Sequence, residues 1–110
     1  MKYDFCVIGA TGMQGRIVTA DLLTSGHSVF LCGRDIKRVE HFLGKYKGRT
    51  AFEYVDLRDI NNTARVIKKS GSKVVINCAE GDQNLNCLNA CIKAGVHSID
   101  LGSDIPLLRK

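Results

Sequence analysis

Proline is nearly absent: Pro106 is the single one in 110 residues. No linker, low-complexity stretch or short repeat divides the chain, so one domain is expected over residues 1–110. Such a domain is large enough for a single core and small for a complete two-substrate enzyme. No apolar run is long enough to span a bilayer, which argues against a membrane partner. The start, MKYDFCVIGA, lacks the cationic opening and long apolar segment of a secretory signal, so a cytoplasmic location is expected. Like charges never run in blocks. The 16 Lys and Arg against 11 Asp and Glu leave a net charge of +5, scattered over several segments. Solvated helix faces account for that excess, and nucleic acid is not an expected partner.

Cys-x-x-Cys is also missing. The five cysteines, Cys6, Cys32, Cys78, Cys87 and Cys91, are odd in number. Cys6, Cys32 and Cys78 fall in apolar runs, where a reduced thiol behaves as a small buried hydrophobe. Cys87 and Cys91 lack a second ligand pair, so neither a disulfide framework nor a metal site is expected. His27, His41 and His97 are unclustered.

What the sequence does have is alternation. Short apolar runs at 5–9, 28–32, 52–55, 73–79 and 97–101 read as buried strands. Between them lie helical patterns. Residues 13–25 carry Met13, Ile17, Val18, Leu22 and Leu23 and stop at Gly26. Asp35 can cap a helix with Ile36, Val39, Phe42 and Leu43, stopped by Gly44 or Gly48. A helix over 59–69 shows Ile60, Ala64 and Ile67 ahead of Gly71, and one near 83–94 shows Leu85, Leu88, Cys91 and Ile92 ahead of Gly95. Repeated β-α units predict an α/β fold: a doubly wound parallel sheet of five or more strands with helices on both faces. The fourth strand, the most apolar, is expected at the centre.

The first β-α junction reads IGATGMQGR. Gly9 suits the tight turn out of the strand. Gly12 lets backbone approach a pyrophosphate, and Gly15 lets the helix lie close to the sheet. Thr11 lies within the loop, and the free N–H groups near Met13 and Gln14 would face the phosphates. A glycine pattern that follows a strand and opens a helix is the context in which it signifies dinucleotide binding.

The second strand ends in LCGRD. No carboxylate stands at the strand end, where an NAD site usually places one. Arg34 can pair with a 2′-phosphate and stack on adenine, and Gly33 clears room, so NADP is favoured over NAD. Asp35 is better placed as a cap. Asp56, ending the third strand, suits either the adenine amino group or a turn. The backbone of Cys78 and Ala79 should pass near the second half of the cofactor. Cys78 has no adjacent base and reads as a core thiol.

From IGATGMQG through LCGRD, YVDLRD and VVINCAEG to CLNACIKAGVHSIDLGSD, nearly the whole chain resembles the N-terminal NADP-binding domain of the saccharopine dehydrogenase family. The resemblance implies a Rossmann fold. It implies pyridine-nucleotide oxidoreduction at an imine or secondary amine of an amino acid or polyamine. It places Gly9, Gly12 and Gly15 at the phosphates and Arg34 at the ribose phosphate. Where family members often carry small or proline residues after the fourth strand, this chain has AEGD, with Glu80 and Asp82. Family enzymes hold the small-molecule substrate in a downstream domain, so the chain is expected to be the N-terminal part of a longer enzyme, inactive alone. The parent could assemble as a homo-oligomer. No residue here receives a catalytic role.

The GATGxxG spacing also occurs in extended short-chain dehydrogenases and in NADP-sensing regulators of the NmrA type. A short-chain dehydrogenase needs Tyr-x-x-x-Lys, but Tyr3, Tyr46 and Tyr54 are followed at that spacing by Val7, Thr50 and Arg58. A potassium-channel regulatory domain would carry an acid near Cys32. A non-catalytic NADP sensor of the NmrA type is the alternative function.

Overall fold

The computed structural model of the chain describes residues 2–79 and 84–100. Glu80, Asp82, Pro106 and the ends of two expected elements, residues 83 and 101, lie outside them. Five parallel strands form one sheet: β1 (Phe5–Ile8), β2 (Val29–Gly33), β3 (Thr50–Tyr54), β4 (Val74–Asn77) and β5 (His97–Asp100). The order is β3-β2-β1-β4-β5. The connecting helices are α1 (Met13–Thr24), α2 (Glu40–Lys45), α3 (Ile60–Ser70) and α4 (Asn84–Ala94).

Pleat alternation divides the core in two. Cys6, Ile8, Phe30, Cys32 and Val75 face α3 and α4, where they meet Ala64, Val66, Ile67, Cys87, Ala90 and Cys91. Val7, Val29, Leu31 and Ile76 face the other way, onto Leu23 of α1 and Phe42 of α2. The doubly wound α/β class expected from the sequence is therefore the fold found, with Rossmann strand order.

Several finer expectations are corrected. β1, not β4, is the central strand. β4 is interior, between β1 and β5, and any strand flanked on both sides and covered on both faces becomes apolar. Apolarity alone therefore cannot single out the middle strand. The segment after Asp35 is not one helix. Asp35 accepts from the Lys37 N–H at 3.2 Å and caps a 3-10 turn, Ile36–Arg38, before α2 begins.

Two helices bury only part of the expected stripe, Leu23 in α1 and Cys91 in α4 being inward as expected. In α1 the residues turned inward are Gly15, Thr19 and Leu23, while Met13 and Ile17 are 73% and 58% exposed. In α4, Cys87, Ala90 and Cys91 face the sheet, while Leu85, Leu88 and Ile92 are exposed. Small inward residues let a helix approach closely, so the largest apolar side chains are not the ones that mark the buried face. α3 follows expectation, with Ala64 and Ile67 buried and Ile60 partly so. It ends at Gly71, whose φ of 69° is left-handed.

Truncating Ile67, which is fully buried, to alanine should cost about 2–5 kcal/mol. Ile92→Ala should stay within about 0.5 kcal/mol of the parent. Denaturant unfolding of both variants checks this, and a large loss at Ile92 would restore the stripe expected from the sequence.

Candidate functional site

Strand order reverses where β1 gives way to β2 on one side and β4 on the other. Crossovers leave in opposite directions there and open a crevice at the carboxyl ends of the strands. The 9–12 loop and the first turn of α1 fill that position. Gly9 has φ of 77°, a left-handed conformation that strains residues with a side chain. A Cβ on Gly9 would also stand 2.7 Å from the Ala79 nitrogen. The chain is held on both sides where β1 runs into the loop: the Ala10 N–H donates to the Cys32 carbonyl at 2.9 Å, and the Cys78 N–H donates to the carbonyl of Ile8, the last residue of β1, at 2.8 Å.

Each remaining glycine has a different neighbourhood. A Cβ on Gly15 would overlap the Gly9 carbonyl oxygen and reach 2.7 Å from Ala10 Cα. A Cβ on Gly33 would meet Thr11 Cγ2 at 2.7 Å. Thr11 thus packs where a Gly33 side chain would stand, and Gly33 also lines the cavity described next. A Cβ on Gly12 would meet only the Gly9 oxygen, at an ordinary 3.5 Å. Gly12 has φ −78° and ψ 172°, accessible to any residue. Among the described residues, nothing in the protein requires glycine at position 12.

Gly12 is the N-cap of α1 and offers no capping side chain. The N–H groups of the first turn, at Met13 and Gln14, therefore lack the acceptor that a capping serine or aspartate would provide. No acidic residue lies in that turn. The result is a concave surface formed by Gly9, Gly12, Met13, Gln14, Cys78 and Ala79, suited to an anion. Beside it lies a cavity of about 200 Å³ lined by Gly9, Thr11, Gly33, Arg34, Asp56 and Ala79, with Ile8, Val55 and Leu57 as apolar walls. All eleven sequence-predicted residues except the inward-packed Gly15 line one of these two adjoining surfaces.

Arg58, missed from the sequence, lines the same cavity. It stands two residues past Asp56 and engages that carboxylate. The Arg58 backbone N–H donates to Asp56 Oδ1 at 3.0 Å, Nε donates to Oδ1 and Oδ2 at 3.0 and 3.2 Å, and Nη2 donates to Oδ2 at 2.6 Å. Of the two readings of Asp56, the geometry displays the turn. The Arg58 hydrogen bonds, with a smaller contribution from the charge of Arg34, hold its carboxyl well below the usual carboxylate range. Cys78 is buried, and desolvation, aided by the Asp100 charge, pushes its thiol up to about 11. A thiol so protonated at neutral pH is a poor nucleophile.

Residues 5–107 match the family described as saccharopine dehydrogenase NADP binding domain. The chain belongs to that family. It is an NADP-binding Rossmann domain, with NADP as its cofactor. No curated protein matches the chain. Among solved structures, it is similar to apo saccharopine dehydrogenase (L-Glu forming) from Saccharomyces cerevisiae, at TM-score 0.73 and 18% identity, over 97% of this chain and 23% of that one. It is also similar to a UDP-glucose-4-epimerase from Stenotrophomonas maltophila with bound NAD, at TM-score 0.77 and 19% identity, over 89% of this chain and 36% of that one. A wide-type short-chain dehydrogenase/reductase from Veillonella parvula in complex with NADP aligns at TM-score 0.74 and 20% identity, over 91% of this chain and 47% of that one. At these identities the likeness is one of fold, and the domain spans less than half the length of each. Among the described residues, no helix is long and apolar enough to cross a membrane.

The glycines should separate in stability. Gly15→Ala is expected to cost the domain about 3 kcal/mol, the upper part of the overpacking range, despite a helix-propensity gain of about 1 kcal/mol. Gly12→Ala should cost about 1 kcal/mol or less, the difference between glycine and alanine at an N-cap. Thermal unfolding reads the contrast, since about 1 kcal/mol moves the midpoint by about 4–8 °C in a domain of this size. Equal losses would mean that Gly12, too, is held by internal packing.

Proposed function

We propose that the domain, residues 1–110, holds NADP for a saccharopine-dehydrogenase-like oxidoreductase and positions the nicotinamide for hydride transfer to or from an imine or amine of an amino acid or polyamine. The carrying observation is Gly12. It is glycine without an internal need, at the uncapped start of a helix, beside open space. A pyrophosphate lying against the backbone would supply both the reason for glycine and the acceptors for the N–H groups of Met13 and Gln14.

Gly9 and Gly15 shape this cradle, and Thr11 braces it against Gly33. Arg34, exposed at the cavity rim, would pair with the 2′-phosphate. The apolar walls Val55 and Leu57 suit adenine, and the backbone of Cys78 and Ala79 would border the nicotinamide half. NADP, when bound, supplies the hydride chemistry; the protein's part is placement. The substrate would be held by a downstream domain of a longer chain, so the segment alone would bind cofactor without turnover.

Calorimetric titration of variants tests the reading. Gly12→Val should weaken NADPH binding about tenfold or more, because its methyl groups occupy the pyrophosphate's path. Arg34→Ala should weaken NADPH about 10- to 100-fold, the worth of charge-assisted hydrogen bonds to a phosphate, and leave NADH little changed. Unchanged NADPH affinity in a folded Gly12→Val protein would refute the pyrophosphate placement. Equal losses for NADPH and NADH in Arg34→Ala would remove the phosphate from Arg34.

A further inference from the structure

The cavity rim carries more charge organisation than one arginine requires. Arg34 and Arg58 line the same cavity, and Asp56 is close enough to Arg34 to respond to its charge. Two cations and one carboxylate leave one net positive charge at the rim. The carboxylate is already engaged. Both of its oxygens accept from Arg58, at 2.6 to 3.2 Å. A guanidinium has five N–H donors in a rigid plane. Asp56 uses the edge formed by Nε and Nη2, which leaves the two Nη1 donors and the second Nη2 donor of Arg58 for another acceptor.

We propose that Arg58 is a second reader of the phosphorylated ribose of the cofactor, held at the cavity mouth by Asp56. Asp56 is then a positioning residue that serves Arg58 and not the adenine amino group. This rests on the NADP placement given above and adds a specificity determinant to it.

Charge and entropy both support the assignment. A phosphate monoester carries about −1.5 to −2 charge near neutral pH, more than Arg34 alone offsets. Arg58 is largely exposed, its side chain 71% accessible against 21% for Asp56. A free surface arginine would lose rotamer freedom on binding, whereas one already clamped by a carboxylate has lost much of it beforehand. A cofactor with a ribose hydroxyl in place of the phosphate would offer these donors no acceptor charge.

The test uses two fragments of the cofactor's adenosine end, 2′,5′-ADP and 5′-AMP, titrated calorimetrically into the wild type, Arg58→Ala, Asp56→Asn and the double variant. The wild type should prefer 2′,5′-ADP. Arg58→Ala should weaken 2′,5′-ADP about tenfold, as expected for a charge-assisted contact, and leave 5′-AMP within about twofold. Asp56→Asn should lower the same preference by a smaller factor, and this loss should vanish in the Arg58→Ala background, because the two act as one unit. A merely structural role would weaken both probes equally and so overturn the proposal. Loss of 5′-AMP binding in Asp56→Asn would place the carboxylate on adenine, also overturning it. A wild type that binds 2′,5′-ADP with a preference that Arg58→Ala leaves intact would refute the role of Arg58 while keeping the NADP site. A wild type that binds neither fragment nor NADPH would remove the site itself.

Discussion

The contact between Gly15 and the backbone of Gly9 and Ala10 governs much of this domain. A single added Cβ at position 15 would overlap the Gly9 carbonyl oxygen. Close approach at that point fixes the rotation of α1 about its axis. Thr19 and Leu23 are then carried inward, and Met13 and Ile17 outward. The same rotation aims the first turn of α1, with its unsatisfied N–H groups, at the carboxyl edge of the sheet. Packing and binding surface are thus set by one contact, and the fold could not shift the helix to improve one without altering the other.

The second half of the site is built differently. Where residues 9–15 rely on backbone and the absence of side chains, the rim beyond β2 and β3 relies on charge. Exposed ion pairs contribute little to stability in water. The Asp56–Arg58 pair therefore has more consequence for the direction in which Arg58 presents its donors than for holding the fold together. Thr11 and Gly33 join the two halves, since the threonine side chain occupies the space a residue-33 side chain would take.

The alternation of strands and helices, the doubly wound class and the crevice-lining residues were legible in the sequence because they depend on period and on glycine position. Asp35 was legible as a cap from its place before Ile36. The faces of α1 and α4 were legible only through Leu23 and Cys91, because the rest of the contact runs through Gly15, Thr19, Cys87 and Ala90, which a search for large apolar residues passes over. The central strand was misjudged because interior strands share one composition. The sequence suggests a ligand-side reason for Gly33 but not its contact with Thr11, between residues 22 positions apart, which no local pattern reveals. Arg58 was overlooked for a similar reason. It stands in plain view after Asp56, but only the cavity geometry brings it alongside Arg34.

In the proposed placement the cofactor lies across the α1 N-terminus and the β2 and β3 strand ends. Amide chemical-shift mapping during titration of the labelled domain with NADPH tests it most directly. The largest shifts should fall on Gly12, Met13, Gln14, Arg34 and Arg58, with α2 and the outer face of α4 unmoved. Shifts centred on the exposed apolar face of Leu85, Leu88 and Ile92, with residues 9–15 unmoved, would contradict it.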